Sequence, residues 1–369
     1  MPRWAINCPA MAALILLSIV VPCIIGLLAT VAVRAWARRR GFVDQPGGHK
    51  QHDYPVALGG GIAVMFAVWL PLLAATLFAA ACADRSLPDW MPQLMQTHAE
   101  GIAARLPRLL IILGGALVLH ILGLIDDSRP LAAAPKFAVQ FIVALAVAVL
   151  AHVRLLEALP APVSVALTVL WIVLITNAFN FLDNMDGLSA GVAVIASGIF
   201  AASALLAGQL FVPVMALVLA GALLGFLPFN FAPARIYLGD AGSMVIGYML
   251  ALLPVLTTFY DPDQGLRPFG VLVPLVVLAV PLYDVFSVCW HRRRAGASIF
   301  RGDRRHFSHR LVQRGMSVRA AVLTIYLATA TTAMSALTLP HATWPYACVI
   351  FAQCLCVVLI IALLEHAKA

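Results

Sequence analysis

Charge is what this sequence has little of. Of its 369 residues, 11% are charged and 63% are hydrophobic, against about 25% and about 45–50% in an ordinary soluble domain. So few charges cannot cover a water-facing surface, which excludes a soluble globular protein. The apolar content excludes a disordered one. Also missing is the apolar/polar alternation over about ten positions that marks a membrane β-barrel. Stretches 141–150 and 271–280 are apolar at consecutive positions instead. No zinc-type cysteine spacing occurs. The seven cysteines (Cys8, Cys23, Cys82, Cys289, Cys348, Cys354 and Cys356) lie mostly in apolar runs and read as small buried residues. There is no P-loop, EF-hand or zinc-protease pattern, and no internal repeat.

What is present is long apolar runs. A bilayer core of about 30 Å takes about 20 residues of helix. Runs at 11–33, 57–82, 107–125, 134–153, 161–179, 188–208, 211–229, 241–259, 270–290, 319–338 and 344–365 predict eleven such helices. The first run is longer than a signal-peptide core and ends in Arg34, Arg38, Arg39 and Arg40, so it reads as a membrane helix. The expected fold is an all-α polytopic membrane protein with a single domain over 1–369. Lys and Arg favour the cytoplasmic side. With the N-terminus outside and the C-terminus inside, 18 of the 24 Lys and Arg fall on inside segments. The net charge of +8 is then a property of one membrane face, not a sign of nucleic-acid binding.

The 16 acidic residues are the informative minority. Acids at the ends of bilayer-spanning helices are costly to desolvate and call for a functional explanation. They gather in short inside segments. Asp126-Asp127 ends one helix, and adjacent carboxylates suit a hard divalent cation that shares oxygen ligands with substrate phosphates. Lys136 begins the next helix and is placed to contact phosphate oxygens. From Asn177 to Leu188, helical spacing puts Asn177, Asn180 and Asn184 on one face, with Asp183 and Asp186 beside them. In the segment from Asn230 to Ser243, Gly239 precedes Asp240 at a helix start, where free backbone N–H groups favour phosphate. Tyr237 is placed to present a ring to a flat base. The fourth segment, Asp303 to Leu311, sets His306 and His309 among arginines.

These four ordered motifs, together with Pro281-x-x-Asp284 and the His49-Lys50-x-His52…Gly59-Gly60-Gly61 segment, resemble the polyprenyl-phosphate N-acetylhexosamine-1-phosphate transferase family. The resemblance spans nearly the whole chain. It implies that a polyprenyl phosphate attacks the β-phosphorus of a UDP-N-acetylhexosamine, giving a polyprenyl-diphosphate sugar and UMP. The cofactor implied is Mg²⁺, with Mn²⁺ as an alternative. The partners are the sugar nucleotide, the lipid and the bilayer, with a homodimer compatible. The implied place is the inner (plasma) membrane, with the site on its cytoplasmic face. By the same resemblance Asp240 and Asn180 match metal positions, and Asp126, Asp127, Asp183, Asp186 and His306 match catalytic ones. Lys136, Lys50, His52, Asn177, Tyr237, Asn230, Arg305 and His309 match substrate contacts.

The chemistry agrees with this pattern, because phosphoryl transfer is mostly positioning and charge neutralisation. An acceptor phosphate with a second pKa of about 6 is already largely a dianion at neutral pH. Asp126 is therefore expected to orient it, with a base role at lower pH and a covalent aspartyl route left open. Two positions depart from the family pattern: Asn184 stands where glycine is usual, and Ser308 precedes His309 where adjacent histidines are common. The spaced histidines look closer to the branch using UDP-GlcNAc than to the phospho-MurNAc-pentapeptide transferases. A transporter is the alternative of another class, with His120 and Asp284 the charged groups nearest the midplane.

Overall fold

A computed structural model describes residues 8–45, 55–82, 101–296, 298 and 306–366. The helices are α1 (Cys8–Arg40), α2 (Gly60–Cys82), α3 (Leu106–Ser128), α4 (Ala133–Leu150), α5 (Ala161–Leu182), α6 (Leu188–Leu206), α7 (Phe211–Asn230) and α8 (Asp240–Val255). They continue as α9 (Val273–Val277), α10 (Ala279–Arg294), α11 (Phe307–Gln313), α12 (Val318–Ala336) and α13 (Trp344–His366). Among the described residues nine helices are long and apolar enough to cross a bilayer. The bent pair Pro268–Val277 and Ala279–Arg294, which meet at 62°, makes a tenth if counted as one span.

The run 241–259, read as a full span, forms the shorter helix α8. At 1.5 Å per residue it rises about 24 Å, less than a bilayer core. Pro254 leaves the Leu250 carbonyl without its helical donor, and the helix stops one residue later. Residues Ala241 to Pro254 are all buried. A helix apolar on every side belongs at the centre of a bundle, and α8 packs there against α2, α3, α5 and α6. By contrast α1 and α13 expose large apolar side chains such as Leu16, Leu28, Leu355 and Leu363, as a lipid-facing surface requires.

Small residues let helices approach closely. On α7, a Cβ at Gly221 would overlap the Ile19 carbonyl of α1, and one at Gly225 would overlap that of Cys23. The described chain also carries one small sheet beside the helices. The strand β1 (Val43–Asp44) pairs antiparallel with β2 (Val56–Ala57), and Ala57 bridges in parallel to Ile236. Tyr237 N–H donates to the Ala57 carbonyl, while Gly60 and Gly61 donate to the carbonyls of Tyr237 and Leu238. This strip seats residues 236–239 against the start of α2. The ends of α3, α5 and α7 and the starts of α4, α6 and α8 thus meet at one end of the bundle.

Candidate active site

The two acids that end α3 have different partners. Asp126 accepts the Leu131 N–H at 2.6 Å and takes Lys136 Nζ at 2.8 Å. The same ammonium reaches Asp240 Oδ2 at 3.1 Å, so Lys136 joins α3 to the start of α8. Asp127 accepts the backbone N–H groups of Asp240 at 2.8 Å and of Ala241 at 3.2 Å. It caps α8 from another helix, placing negative charge where the helix dipole favours it. The N–H groups of Gly242 and Ser243 return to the Gly239 carbonyl. This corrects one expectation: Asp240 does sit at a helix start, but the first donors of that helix are taken by protein and are not free for phosphate.

Two glycines make this approach feasible. Gly239 has φ of +73°, and a Cβ there would fall on the Asp127 carboxylate. A Cβ at Gly123 would overlap the backbone of Ala241.

Asn180, in the last turn of α5, donates its amide to Asp240 Oδ1 at 2.9 Å and to Ser243 Oγ at 3.0 Å. Asn177 lies one turn back, donating to Gln140 Oε1 at 2.6 Å and to the Val173 carbonyl at 2.8 Å. It is part of a network between helices and does not line the pocket described below.

The turn between α5 and α6 carries the second acidic pair. Asp186 accepts the Ala234 N–H at 2.8 Å. Asn230 accepts the Gly187 N–H and donates to the Ile236 carbonyl, both at 3.1 Å. It is nearly buried, so its main contact is with the two loops it fastens together. Asp183 sits among like charges. Burial and the carboxylates of Asp240, Asp127 and Asp186 push its pKa well above the usual carboxylate range, while a hydrogen bond from the Gly239 backbone opposes this.

Around these groups lies a pocket of about 800 Å³, within the size range of small-molecule sites. Asp127, Asp183, Asp186, Asp240, Asn230, Tyr237 and His309 line it, so seven of the expected residues converge. Lys136, Asp126 and Asn180 stand behind this lining and reach it through Asp240. His306 is buried away from the pocket, its Nδ1 at 2.7 Å from Asp284 Oδ2 and its ring edge-on to Phe181. His309 is the histidine that faces the pocket. Lys50, His52 and Arg305 lie outside the described residues.

Sequence reasoning passed over three residues. Arg319 lines the pocket and donates to the Ala232 carbonyl at 2.8 Å. As one arginine at the start of a membrane helix it carried no signal. Asp44, also in the lining, sat in an unremarkable basic segment. Glu365 accepts from Arg310 at 2.7 Å and from Tyr283 at 2.8 Å, fixing α11 to the end of α13. The two departures from the family pattern meet: Ser308 donates to Asn184 at 2.6 Å.

Five carboxylates around one lysine would repel a diphosphate unless a cation offset them. No three His, Cys, Asp or Glu side chains among the described residues form a ready-made metal cage. Mg²⁺ does not need one, since it is commonly held by one or two carboxylates plus substrate phosphates. Asn180 turns its amide nitrogen toward Asp240 and Ser243, and among the described residues no hydrogen bond reaches its oxygen. That oxygen and the Asp240 carboxylate are hard donors of the kind that fits Mg²⁺.

Fold and site together define a polytopic helical bundle with an acidic pocket at one end. The model of glycosyl transferase family 4 matches residues 109–258. The chain is 31% identical over 339 residues to a Bacillus subtilis protein named "Probable undecaprenyl-phosphate N-acetylglucosaminyl 1-phosphate transferase", covering 89% of this chain and 86% of that one. It is 36% identical over 335 residues to the decaprenyl-phosphate N-acetylglucosaminephosphotransferase of Mycobacterium tuberculosis, covering 82% and 77%. With the undecaprenyl-phosphate alpha-N-acetylglucosaminyl 1-phosphate transferase of Escherichia coli the identity is 26% over 311 residues, covering 80% and 76%. The chain belongs to glycosyl transferase family 4.

Proposed function

We propose that this protein transfers N-acetylglucosamine-1-phosphate from UDP-GlcNAc to a membrane polyprenyl phosphate. The products are UMP and a polyprenyl-diphosphate sugar. The observation that carries the reading is the junction at Asp240, where Lys136, Asn180 and the Asp127-capped helix start meet at the wall of a nucleotide-sized pocket. The names of the relatives, all N-acetylglucosamine-phosphate transferases, support UDP-GlcNAc over UDP-MurNAc-pentapeptide as donor.

In this reading an oxygen of the acceptor phosphate attacks the β-phosphorus. The bond from that phosphorus to the bridging oxygen breaks, and UMP leaves with the oxygen. Lys136 offsets charge on the phosphates while holding Asp126 and Asp240 in register. Asp126 orients the acceptor. Tyr237 and Asp186 flank the uridine, and His309 and Arg319 face the sugar and diphosphate. Bound Mg²⁺, held by Asp240 and the Asn180 oxygen, would supply further charge neutralisation. Counting the nine long helices, the bent pair and the short buried α8 gives eleven crossings, and on that count the 18:6 distribution of basic residues supports an outside N-terminus, an inside C-terminus and a cytoplasmic site in the cell's plasma membrane.

The test is UMP release by purified protein. UDP-GlcNAc should yield UMP only when polyprenyl phosphate is present, and UDP-MurNAc-pentapeptide should yield none. Release from the pentapeptide donor alone would overturn the donor assignment.

A further inference from the structure

The turn bearing Asp183 and Asp186 and the helix bearing His309 are distant in sequence, yet a partly buried side-chain hydrogen bond ties them together. Ser308 Oγ donates to Asn184 Oδ1 at 2.6 Å. The Asn184 amide donates in turn to the Phe181 carbonyl at 2.7 Å, at the end of α5. Ser308 is fully buried, whereas its neighbour His309 and Asn184 itself both line the pocket. The bond therefore lies behind the seam between the acidic turn and the histidine.

We infer that Asn184 and Ser308 form a latch that positions His309 against the acidic turn during sugar-phosphate transfer, an inference resting on the function proposed above. Helix α11 has seven residues, fewer than two turns, and so short a helix does not hold itself. Its anchors decide where it stands. Asp284 ties its start to α10 through His306 and the Phe307 N–H. Glu365 ties it to α13 through Arg310. Neither anchor reaches the acidic turn, and Ser308 does. In a helix, adjacent residues point about 100° apart, so fixing Ser308 inward sets the direction in which His309 faces the pocket. Removing the hydroxyl leaves the Asn184 oxygen without its donor and lets α11 shift relative to the acidic turn while Asp284, Glu365, Ser287 and the buried Phe307 and Leu311 hold it on its other sides.

The latch acts through His309, so the two should not be additive. Ser308→Ala should lower single-turnover transfer about three- to tenfold, and Ser308→Thr, which keeps the hydroxyl, should restore most of it. In a His309→Ala background the further effect of Ser308→Ala should shrink to within about twofold. A Ser308→Ala variant at parental rate, or one that loses the same factor with and without His309, would overturn the latch. If the parent protein makes no UMP, the functional reading fails separately. Hydrogen exchange still decides the latch in that case: amides of residues 307–313 should exchange faster in Ser308→Ala than in the parent or in Ser308→Thr. Unchanged exchange overturns it.

Discussion

The acidic wall and the histidine wall of the pocket are built by different means. The acidic wall is set by backbone. Asp127 binds the first N–H groups of α8, and Gly123 and Gly239 allow approaches that no side chain would permit. The histidine wall is set by side chains: Asp284 to His306, Asn184 to Ser308 and Glu365 to Arg310 bind a short helix to three neighbours. A wall built from backbone has little freedom to yield, and interiors packed this closely shift between discrete arrangements more than they deform. A wall hung on separate side-chain bonds yields one bond at a time. In the proposed function the groups assigned to the phosphates belong to the first kind and those assigned to the donor sugar to the second.

The largest effect should come from the acidic wall. Asp240→Asn keeps shape and loses charge at the junction of Lys136 and Asn180, and turnover should fall roughly a thousandfold while the protein still inserts and folds. UMP release near the parental rate by a folded variant would contradict the role given to Asp240. Gly123→Ala should be the most damaging change to stability, because its methyl group meets the Ala241 backbone. A loss of about 3 kcal/mol or failure to fold is expected, read from thermal unfolding in detergent. An unaffected melting temperature would show that the acidic wall has room to move.

On the histidine wall, Glu365→Gln removes the buried charge facing Arg310 but keeps an acceptor. It should cost about 2 kcal/mol in stability, with transfer reduced less than tenfold. A loss comparable to that of Asp240→Asn would erase the contrast between the walls.

The smallest effect is a gain. Asp183 has a raised pKa in the folded protein, so its ionised form disfavours folding. That cost is absent below the ordinary carboxylate pKa of about 3.9 and grows as pH rises through the folded value. With divalent cations chelated, Asp183→Asn should therefore be more stable than the parent at about pH 8, by about 1 kcal/mol, and the gap should narrow at about pH 5. A variant less stable than the parent at the higher pH would mean that Asp183 is held by favourable contacts.

Much of this was legible in the sequence. Acids and amides are so scarce in an apolar chain that Asp126-Asp127, Asn180, Asp183, Asp186 and Asp240 stood out, and the structure brings them to one end of the bundle. Individual duties were less legible, since they depend on which helix meets which. Asp127 and Asp126 are adjacent and identical, yet one caps a helix and the other holds a lysine. His306 and His309 share a motif, yet one is buried against Asp284 and the other faces the pocket. Arg319 and Glu365 look like ordinary interfacial residues until folding supplies Ala232 and Arg310. The shortness of α8 was hidden because residues beyond Pro254 continue the apolar run.

The proposed reaction carries the β-phosphorus along with the sugar and does not move sugar alone. It is tested most directly with UDP-GlcNAc radiolabelled at the β-phosphorus, incubated with purified protein and polyprenyl phosphate and then extracted into organic solvent. The label should move into the lipid phase together with the sugar while unlabelled UMP remains in water. Sugar in the lipid phase with the label left behind as UDP would contradict it.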